Sequence, residues 1–205
     1  MDSIIFDLDG TLWDSSEAVV GAWNSVLSRY KEIVKEITRE DLQGVMGLQV
    51  HEVARKLFPE AEEDVQREIL NECCEAECLY LAGHGGMLYE GLEEVLKVLA
   101  AKYRLFIVSN CQAGYIEAFF RYHQLEKYFA DYENPGRTGL SKGENIKLIM
   151  DRNNLHSPVY VGDTEGDLKA AKCAGIPFIF ASYGFGEVSG YDYSINSLNE
   201  LTSVI

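Results

Sequence analysis

The second half of the chain alternates apolar runs with amphipathic stretches, and this alternation constrains the fold more than any other feature. Short apolar runs predict strands, and apolar residues at helical spacing predict helices. The predicted strands cover residues 104–109, 158–162 and 177–181, and the predicted helices cover residues 92–101, 115–122, 142–152, 168–174 and 198–204. Alternating strands and helices form a parallel sheet with helices on both faces. We therefore predict an α/β fold built on a doubly wound parallel sheet.

A further strand is predicted at the start of the chain, where Ile4, Ile5 and Phe6 precede Asp7-Leu8-Asp9-Gly10. Side chains alternate faces along a strand, so Asp7 and Asp9 begin on the same face, and a turn at Gly10 lets the second bend over the first. Two close carboxylates raise each other's pKa unless a cation lies between them. The pair indicates either a divalent metal or a shared proton, although an isolated Asp-x-Asp is also typical of a polar strand end.

Polar residues follow three of the predicted strands. Asp7 and Asp9 follow the first, Ser109 and Asn110 end the strand over residues 104–109, and Asp163 follows the strand over residues 158–162. In parallel sheets the ligand crevice lies at the carboxyl ends of the strands. We therefore expect these side chains to cluster at one edge of the sheet.

The stretch between the first strand and residue 87 has a helical pattern throughout. Ser15 or Ser16 is a candidate N-cap, and Thr38-x-x-Asp41 resembles a capping box. The run Gly83-His84-Gly85-Gly86 predicts a hinge or linker rather than a regular element. The predicted division is a core domain of residues 1–14 and 87–205 and an all-helical insertion of residues 15–86.

Composition limits the classes of partner. The 205 residues carry a formal net charge of −15, which disfavours binding to nucleic acids or to anionic membrane surfaces. The five cysteines form no zinc or disulfide pattern and are expected to be reduced packing residues. The chain shows neither a signal-peptide pattern nor an apolar run that could span a bilayer, so we expect a cytoplasmic location. An anionic substrate would need positive charge within its site.

Four motifs follow one another along the chain: Asp7-x-Asp9-Gly10-Thr11, Ser109-Asn110, Lys142, and Gly162-Asp163-Thr164-Glu165-Gly166-Asp167. Together they resemble the motifs of the haloacid dehalogenase superfamily, and the chain is similar to its phosphoglycolate-phosphatase-like branch, which has a helical (type C1) cap. One departure lies in Ser141-Lys142-Gly143-Glu144, because relatives often have Pro after the lysine. The resemblance covers the whole chain and implies a Rossmann-like core with an inserted helical cap.

The resemblance implies roles for the acidic residues. Asp7 would be the nucleophile that forms a phosphoaspartate, and Asp9 would be the acid and base for the leaving group and the attacking water. Asp7, Asp163 and the backbone carbonyl of Asp9 would bind Mg²⁺, and Asp167 would act through a water or as support. Helix capping is the alternative explanation for Asp163 and Asp167, because carboxylates are favoured near helix N-termini.

Positive and neutral groups would hold the phosphate. Ser109 and the backbone N–H of Asn110 are suited to phosphate oxygens, especially if a helix begins near Ala113. Lys142 would supply the positive charge that the acidic surface lacks, although a lone lysine at a helix start is usually a solvated surface residue. Trp13 and Gln49 are candidate substrate contacts, with core packing as the alternative for Trp13.

The predicted function is therefore Mg²⁺-dependent hydrolysis of a small phosphorylated metabolite. Phosphoglycolate leads by resemblance alone, sugar phosphates and nucleoside monophosphates stay open, and a non-catalytic phosphate-binding regulator is the alternative class. Asp9 argues against a dehalogenase, which lacks the second aspartate. The absence of histidine from Ala18-Val19-Val20-Gly21 argues against a sugar phosphomutase. The sequence leaves open whether the protein is a monomer or a homodimer.

Overall fold

A computed structural model describes residues 1–30, 35–48 and 50–205 of the chain. Its strands are β1 (Ser3–Phe6), β2 (Trp13–Asp14), β3 (Met87–Leu88), β4 (Arg104–Val108), β5 (Phe129–Glu133), β6 (Pro158–Gly162), β7 (Phe178–Ala181) and β8 (Tyr193–Ile195). Its α-helices are α1 (Ser16–Leu27), α2 (Arg39–Gln43), α3 (Val50–Leu57), α4 (Glu63–His84), α5 (Leu92–Ala100), α6 (Tyr115–His123), α7 (Pro135–Thr138), α8 (Lys142–Asn153), α9 (Glu165–Ala174) and α10 (Leu201–Val204). Two 3₁₀ turns cover Glu126–Tyr128 and Leu198–Glu200.

Six strands form one parallel sheet in the order β5-β4-β1-β6-β7-β8. Strand β1 lies between β4 and β6, and all of its residues are buried. A strand with neighbours on both edges and helices on both faces must be apolar along its length, which explains the run of isoleucine and phenylalanine there. The predicted α/β fold with a parallel sheet is confirmed.

The two faces of the sheet pack against different helices. Ile4 and Phe6 belong to a core that includes apolar residues of α5 and α6, whereas Ile5 belongs to a second core with residues of α8 and α9. Successive side chains of β1 therefore alternate between the two layers, as strand geometry requires. This arrangement is the doubly wound architecture predicted from the alternation of strands and helices.

Helices α1 to α4 lie in the chain between β2 and β3, and the described residues of this stretch form no strand. Helix α1 packs along α4, and α4 also packs against α6, which flanks the sheet. Strands β2 and β3 pair antiparallel, with Trp13 opposite Leu88, where the chain leaves and rejoins the sheet region. None of the described helices is long and apolar enough to cross a membrane.

The structure differs from the sequence prediction in four strands and in the predicted linker. Strands β2, β3, β5 and β8 were not predicted, because two of them have only two residues and the other two lie at the edges of the large sheet. The predicted linker is partly wrong, since α4 continues through Gly83 and ends at His84. Gly85 then ends the helix with a φ of 69°, a left-handed conformation that glycine adopts readily.

Candidate active site

The predicted site residues meet at the carboxyl edge of the sheet. Strands β4, β1 and β6 are in register, with Ile107 and Val161 on either side of Phe6. The residues that follow these strands therefore emerge side by side. Carboxylate oxygens of Asp7, Asp163 and Asp167 lie within 4.8 Å of one another, and all three side chains are buried. We refer to these three residues as the acid cluster.

Lys142 is the cation of this site. It is the first residue of α8, which begins after a capping box formed by Ser141 and Glu144. The ammonium donates to Asp7 Oδ1 at 2.9 Å and to Asp167 Oδ1 at 2.6 Å, and the lysine is only 5% exposed. Burial lowers the pKa of Lys142, but the two carboxylates outweigh it and raise the pKa, so the side chain stays charged.

Asp167 joins the site to the helix that begins beside it. Its Oδ2 accepts from the backbone N–H of Thr164 at 2.9 Å and from the Thr164 hydroxyl at 2.6 Å, which forms the capping box of α9. Its Oδ1 accepts from Lys142 and, at 3.4 Å, from the Tyr160 hydroxyl. The capping alternative therefore holds for Asp167, whereas the N-cap itself is Thr164 and not Asp163.

One carboxylate oxygen of Asp163 accepts a hydrogen bond, and the other has no described donor. Its Oδ2 accepts from the backbone N–H of Phe185 at 2.7 Å. Its Oδ1 is buried without a hydrogen-bond partner among the described residues. Gly10 and Gly184 approach the carboxylate so closely that a Cβ at either position would clash with it. Burial, followed by the charges of Asp167 and Asp7, raises the pKa of Asp163.

This donor set suits a divalent cation. Burial and the neighbouring charge of Asp167 also raise the pKa of Asp7, because the one ammonium of Lys142 does not balance three carboxylates. A buried carboxylate oxygen without a partner is costly, and a hard cation satisfies it. Oxygen donors of this kind fit Mg²⁺, which needs only one or two protein carboxylates.

Asp9 faces a different environment from Asp7. Its Oδ1 accepts from the Ser15 hydroxyl at 2.6 Å and from the Tyr115 hydroxyl at 2.9 Å. The two hydroxyls are themselves 2.8 Å apart, so the three side chains form one network. Burial raises the pKa of Asp9, and the two donors oppose this shift. The sequence indicated Ser15 only as a possible helix cap, but its side chain makes no capping bond and is used here.

The predicted phosphate-binding residues lie beside the acid cluster. Ser109 is buried at the end of β4, and its backbone N–H donates to Glu133 O at 3.3 Å. The Asn110 amide donates to Gly47 O at 2.7 Å, while its Oδ1 is buried without a partner among the described residues. Helix α6 begins close to the expected place, at Tyr115. The amide of Gly114, however, is already bound to Glu117 Oε2 at 3.0 Å.

Of the two candidate substrate contacts, Trp13 and Gln49, the structure describes only Trp13. Trp13 is fully buried, and its ring packs edge-on against Tyr115, Phe119 and His123 at centroid distances of 5.8, 5.0 and 5.7 Å. The structure thus places Trp13 in the core, in agreement with the packing alternative, and Trp13 is not among the residues that line the cavity described next. Gln49 lies outside the described residues.

A cavity of about 80 Å³ opens between Asp9 and the helices that precede β3. Its lining includes Trp23 of α1, Glu77 of α4 and Gln112 of the loop before α6. Glu77 is only 3% exposed and accepts hydrogen bonds from the Trp23 indole and the Gln112 amide. We refer to this space as the Glu77 cavity. No sequence pattern indicates this cavity, because its polar residues come from three distant segments without a shared motif.

Comparison with known proteins agrees with the motifs and the fold. The family model described as "Haloacid dehalogenase-like hydrolase" matches residues 4–181. The chain belongs to the haloacid dehalogenase-like hydrolase family. The predicted family and the prediction of a hydrolase are thereby confirmed.

The curated relatives of this haloacid dehalogenase-like hydrolase include enzymes for two kinds of phosphorylated compound. It is 27% identical to a phosphoglycolate phosphatase of Vibrio parahaemolyticus over 221 aligned residues, which cover 98% of this chain and 95% of the relative. It is 26% identical to the pyrophosphatase PpaX of Listeria welshimeri, over 84% of this chain and 79% of the relative.

Solved structures show the same fold at low identity. A haloacid dehalogenase-like family hydrolase from Streptococcus pneumoniae has a TM-score of 0.87 at 20% identity, covering 100% of this chain and 98% of the other. CbbY from Rhodobacter sphaeroides, solved in complex with xylulose-1,5-bisphosphate, has a TM-score of 0.83 at 20% identity, covering 98% and 96%. The fold of this hydrolase is therefore that of its family over its whole length.

Proposed function

We propose that this protein is a Mg²⁺-dependent phosphatase that hydrolyses small phosphomonoesters through a phosphoaspartate on Asp7. The single observation that carries the proposal is the acid cluster with Lys142 beside it. Three buried carboxylates have one built-in cation, and Asp163 keeps an oxygen without a partner. A site that binds a metal and a phosphate together would need this imbalance of charge.

Asp7 and Asp163 would hold the metal, together with the backbone carbonyl of Asp9 that the family resemblance implies. When bound, Mg²⁺ would offset the negative charges of the acid cluster and of the phosphate, so that a carboxylate can approach phosphorus. Asp167 is better suited to support than to ligation, because both of its oxygens already accept hydrogen bonds. Lys142 would orient Asp7 through its 2.9 Å hydrogen bond and place positive charge near the phosphate oxygens.

The chemistry would proceed in two displacements. In the first, a bond forms between a carboxylate oxygen of Asp7 and phosphorus, and the bond from phosphorus to the leaving oxygen breaks. Asp9, held by Ser15 and Tyr115, would give its proton to that leaving oxygen. In the second, Asp9 takes a proton from water as the water oxygen attacks phosphorus, which releases phosphate and restores the Asp7 carboxylate.

Helices α1 to α4 would form a cap over this edge, with residues 15–86 as the cap and residues 1–14 and 87–205 as the core. The support is the contact between the two parts at the site, where the Asn110 amide holds Gly47 O at 2.7 Å. A cap that closes over the phosphate excludes water and limits substrates to small molecules. Phosphoglycolate, named for relatives at 27% identity, is the first candidate by resemblance. Sugar phosphates and nucleoside monophosphates are the others.

The test is phosphate release from p-nitrophenyl phosphate with and without Mg²⁺. We expect the wild type to release phosphate only with the metal and Asp7→Asn to release none, because the amide is not a nucleophile. Asp151→Asn, an exposed aspartate on α8, is the matched control and should keep wild-type activity. If the wild type released no phosphate from any phosphoester, the alternative of a phosphate-binding protein without turnover would be favoured.

A further inference from the structure

The Glu77 cavity has a few polar residues in a mostly apolar wall. Asp9 and Asn110, which follow strands β1 and β4, line it together with Glu77 and Gln112. Apolar side chains of α1, of α4 and of the loop between α2 and α3 form most of the remaining wall. A leaving group whose oxygen is protonated by Asp9 would occupy this space, because Asp9 is part of its lining.

The charges in the cavity wall all have one sign. Asp9 and Glu77 are its ionisable acids, and none of the described lining residues is a lysine or an arginine. The nearest built-in cation of the site, Lys142, is already bound to Asp7 and Asp167. A carboxylate in this cavity would therefore meet two acids and no described cation. A hydroxyl or ammonium group would meet acceptors.

Glu77 keeps the capacity to accept further hydrogen bonds. One carboxylate oxygen accepts from the Trp23 indole and the other from the Gln112 amide. Each oxygen has two lone-pair positions, so each can accept once more. Burial raises the pKa of Glu77 to about 8, and the nearby charge of Asp9 contributes to this shift. A donor or a cation beside Glu77 would offset the cost of burying its charge.

Packing alone does not explain this residue. An apolar side chain at position 77 would fill the same place without the cost of a buried acid, and the proposed reaction gives Glu77 no step. Its two donors come from two separate elements that line the cavity, Trp23 from α1 and Gln112 from the loop before α6. They fix the carboxylate in the cavity wall. Such orientation by surrounding donors is what a recognition group requires.

We propose that Glu77 is the specificity-determining residue of this phosphatase and selects phosphomonoesters whose leaving alcohol carries a hydroxyl or ammonium donor rather than a carboxylate. This inference rests on the proposed function and narrows its substrate class. It predicts a lower kcat/KM for phosphoglycolate, whose leaving group is an anion, than for phosphate esters of neutral or cationic alcohols of the same length. Discrimination arises because a carboxylate brings no donor to the acceptors of the cavity and finds no described cation there to offset the cost of burying its charge.

Four two-carbon esters test the proposal: 2-hydroxyethyl phosphate, 2-aminoethyl phosphate, ethyl phosphate and phosphoglycolate. We expect the wild type to turn over the hydroxyl or amino ester with a kcat/KM at least about tenfold above that of phosphoglycolate. Ethyl phosphate, which has neither a donor nor a charge, should fall between them. Glu77→Gln, which keeps the size of the side chain but cannot ionise beside an ammonium, should reduce the ratio of the amino ester to phosphoglycolate by about tenfold.

Glu68→Gln, an exposed glutamate on the same helix, is the matched control and should leave the order of the esters unchanged. The wild-type order is informative even if Glu77→Gln fails to fold. Equal or faster hydrolysis of phosphoglycolate by the wild type would overturn the inference. An unchanged ratio in a folded Glu77→Gln variant would also overturn it. Hydrolysis of p-nitrophenyl phosphate in either case would leave the proposed phosphatase intact, whereas no turnover of any ester would overturn both.

Discussion

Two buried acidic regions lie near Asp9, and they balance their charge in different ways. The acid cluster of Asp7, Asp163 and Asp167 is paired with the ammonium of Lys142 and has a carboxylate oxygen with no partner among the described residues. In the Glu77 cavity the acid instead accepts from two neutral donors, the Trp23 indole and the Gln112 amide, and no described lining residue is a lysine or an arginine. The first region is suited to a metal and an anion, and the second to a neutral or cationic group.

The difference shows how one molecule can bind both ends of a phosphomonoester. A phosphate is recognised by cations, so its site needs Lys142 and a metal beside its acids. A leaving alcohol needs only orientation and a proton source, which uncharged donors and a single buried carboxyl can provide. In this structure the residues suited to the phosphate lie at strand ends, and those suited to the leaving alcohol lie between helices. Three substitutions test this division.

The largest effect is expected from Lys142→Ala. Removing the ammonium leaves Asp7 and Asp167 as unpaired buried acids, which should lower the free energy of unfolding by roughly 3–5 kcal/mol. Urea unfolding at neutral pH in the presence of a chelator measures this, since no metal then replaces the charge. Phosphatase activity with Mg²⁺ should also fall strongly. Lys147→Ala, an exposed lysine on the same helix, should do neither. Equal stability of the two variants would mean that the lysine does not hold the cluster together.

A smaller effect is expected from Glu77→Gln, and it should depend on pH. The pKa of Glu77 is about 8 in the folded protein and has its ordinary value of 4.5 when exposed. The protonated form is thus favoured by folding, and its stabilising contribution is complete below pH 4.5 and lost as the pH rises through 8. Glutamine does not titrate, so Glu77→Gln should gain stability relative to the wild type as the pH rises between these limits, by roughly 3 kcal/mol at pH 7.

Urea unfolding of both proteins with a chelator, at a series of pH values from 5 to 8.5, measures this difference. The free energy of unfolding of Glu68→Gln should change with pH as that of the wild type does, because the Glu68 side chain is exposed. A difference between Glu77→Gln and the wild type that stays constant with pH would show that Glu77 is ionised in the fold at all these values. In that case Glu77 would carry a buried negative charge, and the two acidic regions would no longer differ in this respect.

The smallest effect is expected from Tyr115→Phe, at the boundary of the two regions. The change removes the 2.9 Å hydrogen bond to Asp9 but leaves the Ser15 bond in place. We expect kcat to fall about fivefold for alkyl phosphates with little change in KM, because the proton donor is held less firmly. p-Nitrophenyl phosphate, whose leaving group needs little protonation, should be affected less.

Tyr122→Phe, a half-exposed tyrosine on the same helix, is the control and should leave both substrates unaffected. The ratio of alkyl phosphate to p-nitrophenyl phosphate turnover distinguishes positioning from loss of structure, since a destabilised protein would lose both activities equally. An equal loss for the two substrates would mean that Tyr115 supports the fold and does not position Asp9.

Motif residues at strand ends were predictable because a simple geometric rule applies to them. Parallel strands in register bring their carboxyl ends to one edge, so Asp7, Ser109 and Asp163 had to meet once the strands were recognised. Edge strand β5 was missed because its polar residues Asp131 and Glu133 interrupt the apolar pattern. Those residues bind Arg152 of α8, a pairing that no local pattern indicates.

Local patterns were enough to predict the central strands of the sheet, its helical layers and the acids at its carboxyl edge, because strand alternation and helix capping act over a few residues. That Ser15 and Tyr115 hold Asp9 depends on the tertiary structure. The tertiary structure also decided that Trp23, Glu77 and Gln112 share a cavity. Glu77 is buried, although it lies on a helix rich in solvated glutamates. Which of them is buried depends on how α1, α4 and α6 pack together, and that packing involves contacts between residues far apart in the chain.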